Sequence, residues 1–363
     1  MHAEVPHVVF DELLFLDSFE MPAEQNRQLL ALCTLPGSVV ESLVEGLGRV
    51  KKSLLKELAD DLALEIKSTI PKVELVELVA KAVEQSFGEL LRYLPTVNID
   101  FLFAFEGNVQ RSFLKEELQY RDISHAHNLG YLMLYETDDA YIVVFPRILS
   151  EQLKNFDHAK VRSEAEFHQR IAGYAISLTN LYGVLDIDQF AAIWNRYESE
   201  TLTPASAGDE LAILTTSWYS FWYHDEYIVS SFFEDVQDVD FFLTNVRDIP
   251  YYVPTRKELR DFFSDPYDEH SPAVLAMKSF LLDYELDDEE DLENLIADLS
   301  DVCIADTGVD DALDLLQQYG VSFKDFDDAS RFTKLYSDLD SHARKWILRG
   351  HTKDSSTFAS KRS

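Results

Sequence analysis

The sequence predicts a mainly α protein with a minor β component: a multi-helical chain in which winged-helix-like units carry small β-hairpins. Apolar residues recur at helical spacing along most of the 363 residues. Glycine (12) and proline (11) are scarce for that length. The two places where short β-branched and aromatic runs occur each read as a hairpin following helical stretches. A hydrophobic content of 46% suffices for packed cores, and the length exceeds what one core usually holds. Six segments are expected: an N-terminal helical segment (1–48), a helix–loop–helix (49–84), a winged-helix-like domain (85–160), a second such domain (161–250), an acidic C-terminal helical domain (251–350) and a flexible tail (351–363).

Residues 8–48 keep apolar residues at helical spacing, and MPAEQ (21–25) is a helix start, with Pro22 in the first turn and Glu24 behind it. In KKSLLKELADDLALEIKSTIPKVELVELVAKAVE, residues 51–84, Leu54, Leu55, Leu58, Ala59 and Leu62 form one stripe. Leu75, Val76, Leu78, Val79 and Val83 form another. Ile70-Pro71 ends an extended piece between them, because proline keeps its predecessor out of the α region. FGELLRYLP reads as helix. YLMLYE and AYIVVF, joined by TDD, read as a hairpin. A recognition helix is expected near FLKEELQYRD, with Lys115 and Arg121 beside Glu116 and Glu117, and ILSEQLKNF starts a new helix after Pro146.

Further on, LYGVLDIDQFAAIW has the rhythm of a second helix-turn-helix, with Gly183 in a left-handed turn and Asp186 or Asp188 as cap. WYHDEYIVSSFF is its expected wing. Thr255 and Glu258 form a capping box. Residues 281–311 hold thirteen acids and no base, yet Leu292, Leu295, Ile296 and Leu299 keep helical spacing, which predicts a packed helix with a solvated acidic face. In SHARKWILRGHTK (341–353), Ser341, Arg344 and Lys345 are expected to precede Trp346 on one helix, with Arg349 in its last turn and Gly350 as its cap.

Sixty-six acids against 32 bases give a formal net charge of −34, which repels phosphate backbones and anionic membrane surfaces. No apolar run reaches the length of a spanning helix. The opening MHAEVPHVVFDELL has no basic region followed by an apolar one, and a cytoplasmic location is expected. Two cysteines, Cys33 and Cys303, suit neither a disulfide framework nor a four-cysteine zinc site. His125 and His127 would share a face on a strand, but nothing nearby completes a zinc set, so no metal is expected. No phosphate loop, dinucleotide fingerprint or nucleophile elbow is present. No catalytic residue and no cofactor is assigned.

Residues 51–84 resemble the Rho N-terminal-like fold, a SAP-related helix–loop–helix, with Lys72 and Leu75 at the start of its second helix. If the likeness extends to nucleic-acid-binding relatives, it implies phosphate contacts by Lys51, Lys52, Lys67 and Lys72; Lys115 and Arg121 are the corresponding candidates in the first winged unit. Acids interleave all of them. The tail pattern S-x-x-R-x-W-x-x-R-G-H-T, with YYVPTRKEL (251–259) and LYGV (181–184), resembles a family of uncharacterised cytoplasmic proteins of low-GC Gram-positive bacteria, many ending in a SEC-C zinc motif. Here Lys353-Asp354-Ser355 replaces the usual residues after the threonine, and the cysteine-rich zinc tail is missing.

Arg344, Trp346, Arg349 and His351 form the remaining candidate. They are expected as a structural clasp, the guanidinium groups held by neighbouring carboxylates and packed on aromatics; the functional alternative is an anion or peptide-carboxylate pocket. The expected function is a non-enzymatic adaptor or regulator that binds a protein partner, associated with the transcription machinery. Direct nucleic-acid binding is the second reading, and an enzyme with a site hidden from sequence the third.

Overall fold

The computed structural model describes residues 21–215, 219–284, 286 and 289–355. Residues 8–20, the acids at 285, 287 and 288, and 356–363 of the tail lie outside the described residues. The chain is mainly helical and divides into two compact units, with the division at 171/172.

In the first unit, α1 (Ala23–Cys33), α2 (Leu43–Leu47), α3 (Lys52–Asp61) and α4 (Lys72–Leu90) precede a 3-10 turn (Leu91–Tyr93) and α5 (Thr96–Phe103). Then come β1 (Gln110–Leu114), α6 (Tyr120–Asn128), the hairpin β2 (Met133–Glu136) and β3 (Ala140–Val144), and α7 (Arg147–Leu153). The 51–84 stripes fold as predicted: Leu55, Leu58 and Ala59 of α3 and Leu75, Val76, Val79 and Val83 of α4 are buried. Each fully buried large apolar side chain contributes about 1.5–3 kcal/mol. Leu54 and Leu78 fall outside the stripe, 47% and 43% exposed, because they sit a third of a turn off the core-facing line. Pro71 stands at the N-cap of α4.

The sheet runs β1-β3-β2, all antiparallel, with Tyr135 opposite Ile142 across the hairpin and Ser112 opposite Ile142 on its other side. FLKEELQYRD does not form the expected helix. Phe113 and Leu114 finish β1, residues 115–117 turn, and the helix starts at Tyr120. Two buried asparagines tie this helix to distant parts of the unit, and the first of them meets its opening N–H. Asn26 accepts from the Tyr120 N–H at 2.7 Å and donates to Leu118 O at 3.0 Å. Asn98 accepts from Ala126 N–H at 2.9 Å and donates to Arg121 O at 2.8 Å. The Tyr120 N–H, first of the helix, is thus satisfied by a side chain 94 residues away.

A long helix, α8 (His158–Tyr182), contains the division between the units. The second unit continues with β4 (Val184–Asp186), α9 (Ile187–Tyr197), α10 (Pro204–Leu214), β5 (Phe221–His224) and β6 (Tyr227–Ser230). The sheet order is β4-β6-β5, so a strand, two helices and a hairpin whose last strand returns to the first make a winged-helix arrangement. Gly183 at φ +72 makes the turn out of α8, and Asp186 caps α9 by accepting from Gln189 N–H at 2.7 Å. Next come α11 (Val236–Val246), α12 (Arg256–Ser264) with its Thr255/Glu258 capping box, α13 (Pro272–Leu281), α14 (Glu289–Ala305), α15 (Val309–Gln318) and α16 (Phe326–His342). Leu292, Leu295, Ile296 and Leu299 of the acidic helix α14 are buried with Met277, Phe280 and Phe332 in one core.

Candidate functional site

The stretch singled out in the sequence is not one helix. α16 stops at His342, Ala343 is extended, and Trp346–Leu348 is a separate 3-10 turn. Beyond the break the chain reverses direction. Arg349 adopts the left-handed conformation (φ 50, ψ 46) and Gly350 follows at φ +80, so the chain doubles back until Gly350 N–H donates to Lys345 O at 2.9 Å. A Cβ on Gly350 would lie 2.8 Å from the Tyr182 ring, and one on Gly183 would lie 2.7 Å from the Trp346 indole. Both glycines are the condition for that close approach. Trp346 is buried, donates from Nε1 to Asn180 O at 2.8 Å, and packs on Phe232 and Phe233 at centroid distances of 5.2 and 5.6 Å.

The cations of this segment turn inward. Arg344 lies 3.7 Å over the Tyr252 ring, donates to the Glu258 carboxylate and reaches Gly350 O at 3.2 Å. Burial alone would raise the Glu258 carboxyl. The Thr255 N–H, the Arg344 charge and the Tyr252 and Thr255 hydroxyls outweigh that and hold it below its ordinary value. Arg349 is buried, 4.3 Å over the Tyr251 ring, and donates to Tyr251 Oη and to Val184 O at 2.9 Å. His351 meets Pro250 O at 3.2 Å, and burial lowers its pKa.

Sequence reasoning left out the most buried member. Lys345 is 0% exposed, with Nζ 2.6 Å from Asp340 Oδ1, 3.1 Å from Asp306 Oδ1, and donating to Cys303 O. Lys353 bridges the same two carboxylates at 2.8 and 2.6 Å. These two lysines and two aspartates alternate in charge and fasten the end of α14 to the end of α16. Nothing local marks them, since the four are contributed from positions up to 47 residues apart (306 to 353). Glu258 was legible as a capping residue, but its second role, receiving Arg344, was not.

A cavity of about 300 Å³ opens beside Arg344, and its wall also carries Glu258, Asp261 and Asp268. Arg344 is already on Glu258 and Lys257 lies 2.5 Å from Asp261, so the guanidinium and two of the three carboxylates here already have partners of opposite charge.

Three of the six nucleic-acid candidates are engaged within the protein. Lys72 donates to Gly48 O at 2.7 Å and Lys115 to Glu136 at 2.7 Å. Arg121 lies 3.9 Å from Asp122. Lys51, Lys52 and Lys67 make no ion pair among the described residues. In the winged-helix unit of the second half, the helix before the hairpin, α10, has Asp209 and Glu210 and no base, and the hairpin turn is Asp225-Glu226.

His125 and His127 stand on α6, not on a strand, so two residues of spacing turns their rings apart. Burial pushes His125 down to about 4 and lowers His127, whose Nε2 meets Cys33 O at 3.2 Å. No group of three His, Cys, Asp or Glu residues able to hold a metal occurs among the described residues. Burial raises both thiols, Cys33 to about 11 and Cys303 to about 12, so neither is a thiolate at neutral pH. Among the described residues no helix is long and apolar enough to cross a membrane.

No protein-family model matches the chain, and no curated protein or solved structure shows significant similarity to it.

Proposed function

We propose that the protein is a non-enzymatic cytoplasmic adaptor or regulator that binds another protein and works beside the transcription machinery, as a relative of the SEC-C-containing family that its tail pattern resembles. The observation that carries this reading is the disposition of charge. Arg344, Lys345, Arg349 and Lys353 are engaged by internal acceptors, and the winged-helix positions that face phosphate in DNA-binding relatives bear Asp209, Glu210, Asp225 and Glu226. Such a surface attracts basic protein and repels polyanions. The test is affinity capture from native lysate with the full chain as bait, followed by size exclusion of the eluate. One recurrent co-eluting protein is expected, and repeated recovery of the bait alone refutes the adaptor.

Lys51, Lys52 and Lys67, which make no ion pair among the described residues, favour a second reading: direct nucleic-acid binding through the helix–loop–helix. A titration of single-stranded and duplex oligonucleotides at low ionic strength tests it. Binding that weakens steeply with salt supports this reading, and a flat response removes it.

A further inference from the structure

The first unit carries an open groove of about 650 Å³ between α2, α4 and α7. Its floor is apolar: Val44 and Ile148 are 47% and 40% exposed, and Ala80 lies beneath them. Its rim is acidic. On α4, Glu77, Lys81 and Glu84 share one face at helical spacing, and Glu151 of α7 stands opposite. Glu41 and Arg147, also on the rim, neutralise one another. Three carboxylates therefore remain against the single ammonium of Lys81.

From this groove we infer a docking site for a cationic amphipathic helix of a partner protein. The inference rests on the adaptor reading and names the chemistry of what the adaptor takes. Charge complementarity selects the partner. An acidic rim around an apolar floor matches a helix with apolar side chains at i, i+3 or i+4 and i+7 and Lys or Arg on its flanks. A second copy of this chain brings another −34 and is repelled. The walls select a helix over an extended strand. All three walls are helices, which present no extended row of alternating N–H and C=O groups for a strand to pair with, whereas a docked helix pairs its own groups internally.

The test titrates the full chain into a labelled leucine/lysine amphipathic peptide of about 18 residues, five turns, at physiological salt, with fluorescence anisotropy as readout. A shuffled peptide of equal composition and no apolar face is the control. Val44→Asp and Ile148→Asp place a charge on exposed positions that the fold does not need, and circular dichroism confirms that they stay folded. Each is expected to weaken binding by about tenfold or more. Glu77→Lys with Glu84→Lys does the same, while Asp209→Lys in the other unit changes affinity by less than about twofold. Equal affinity of the shuffled peptide, or equal loss from the Asp209 variant, overturns the inference and leaves only unspecific attraction. Self-association of the chain that Ile148→Asp abolishes also overturns it, by giving the groove to a second copy. Failure here is separable from failure of the adaptor: if Ile148→Asp still captures the same lysate protein as wild type while the peptide ignores the groove, the groove is wrong and the adaptor stands.

Discussion

Replacing Lys345 with methionine isolates the contribution of the buried charge, because methionine keeps most of the apolar stem and leaves little cavity. The substitution removes an ammonium that is 0% exposed and lies 2.6 Å from Asp340 and 3.1 Å from Asp306, and it strips Cys303 O of its donor. Breaking a buried ion pair costs about 3–5 kcal/mol when the remaining charge is stranded. Here it is not fully stranded, since Lys353, 41% exposed, still reaches both carboxylates. The lower end, about 3 kcal/mol, is therefore expected. Lys353→Met, which removes the solvent-exposed partner, should cost only about 0.5–1 kcal/mol. Urea unfolding followed by tryptophan fluorescence reads mainly the second unit, which contains three of the four tryptophans, Trp194, Trp222 and Trp346. With a slope of about 2 kcal/mol per molar, Lys345→Met should lower the midpoint by about 1.5 M. Adding Asp340→Leu to Lys345→Met should recover part of the loss, because the stranded carboxylate leaves with its partner. A Lys345→Met midpoint within about 0.25 M of wild type, or a larger effect from Lys353→Met, would refute the assignment of the clamp to the buried lysine.

Gly183→Ala should destabilise the same unit by about 2–4 kcal/mol, from the left-handed φ of +72 and a Cβ 2.7 Å from Trp346. Gly320→Ala, at φ +74 with nothing within 4 Å, should cost about 1–2 kcal/mol, and equal losses in thermal melts would show that the Trp346 contact is unimportant. Asp301 is pushed up to about 6 by burial and then by Asp298 and Asp265. Its folded pKa exceeds its unfolded one, so ionisation destabilises the native state progressively as pH rises from about 4 through 6. Asp301→Asn should therefore stabilise by about 1–2 kcal/mol at pH 7 after solvent screening, with the gain vanishing by pH 4 in chemical unfolding. His125 runs the other way: burial pushes it down to about 4, so its contribution is intact above about 6.5 and is lost as pH falls toward 4. The first unit should lose about 2 kcal/mol from this group between pH 7 and pH 5 by circular dichroism, and an unchanged pH profile in His125→Gln would contradict the assignment.

Helix content, the two hairpins and the caps were legible because each follows from interactions within a few residues. The stripes of α3 and α4, the Thr255/Glu258 capping box, Gly183 and Asp186 are local patterns in which residue type alone selects the backbone conformation. The segment FLKEELQYRD misled for the same reason. Its residues suit a helix locally, while Asn26 supplies from 94 residues away the acceptor for the first N–H of a helix that starts at Tyr120 instead. His125 and His127 changed meaning with it, since a strand would have put them on one face and the helix does not.

By itself the sequence determined the class of fold and the net charge of −34, and it left the arginines of the last segment between a clasp and an anion pocket. Only the tertiary structure decided which carboxylate each cation meets, that Lys345 and not a guanidinium is the most deeply buried, and that the chain after His342 doubles back rather than continuing as helix. Those outcomes depend on two glycines admitting Trp346 and Tyr182 to close contact, and on charges brought together from distant positions. Contacts of that kind gain their energy from burial and Coulomb attraction at short range, and a one-dimensional pattern contains no distance across the fold.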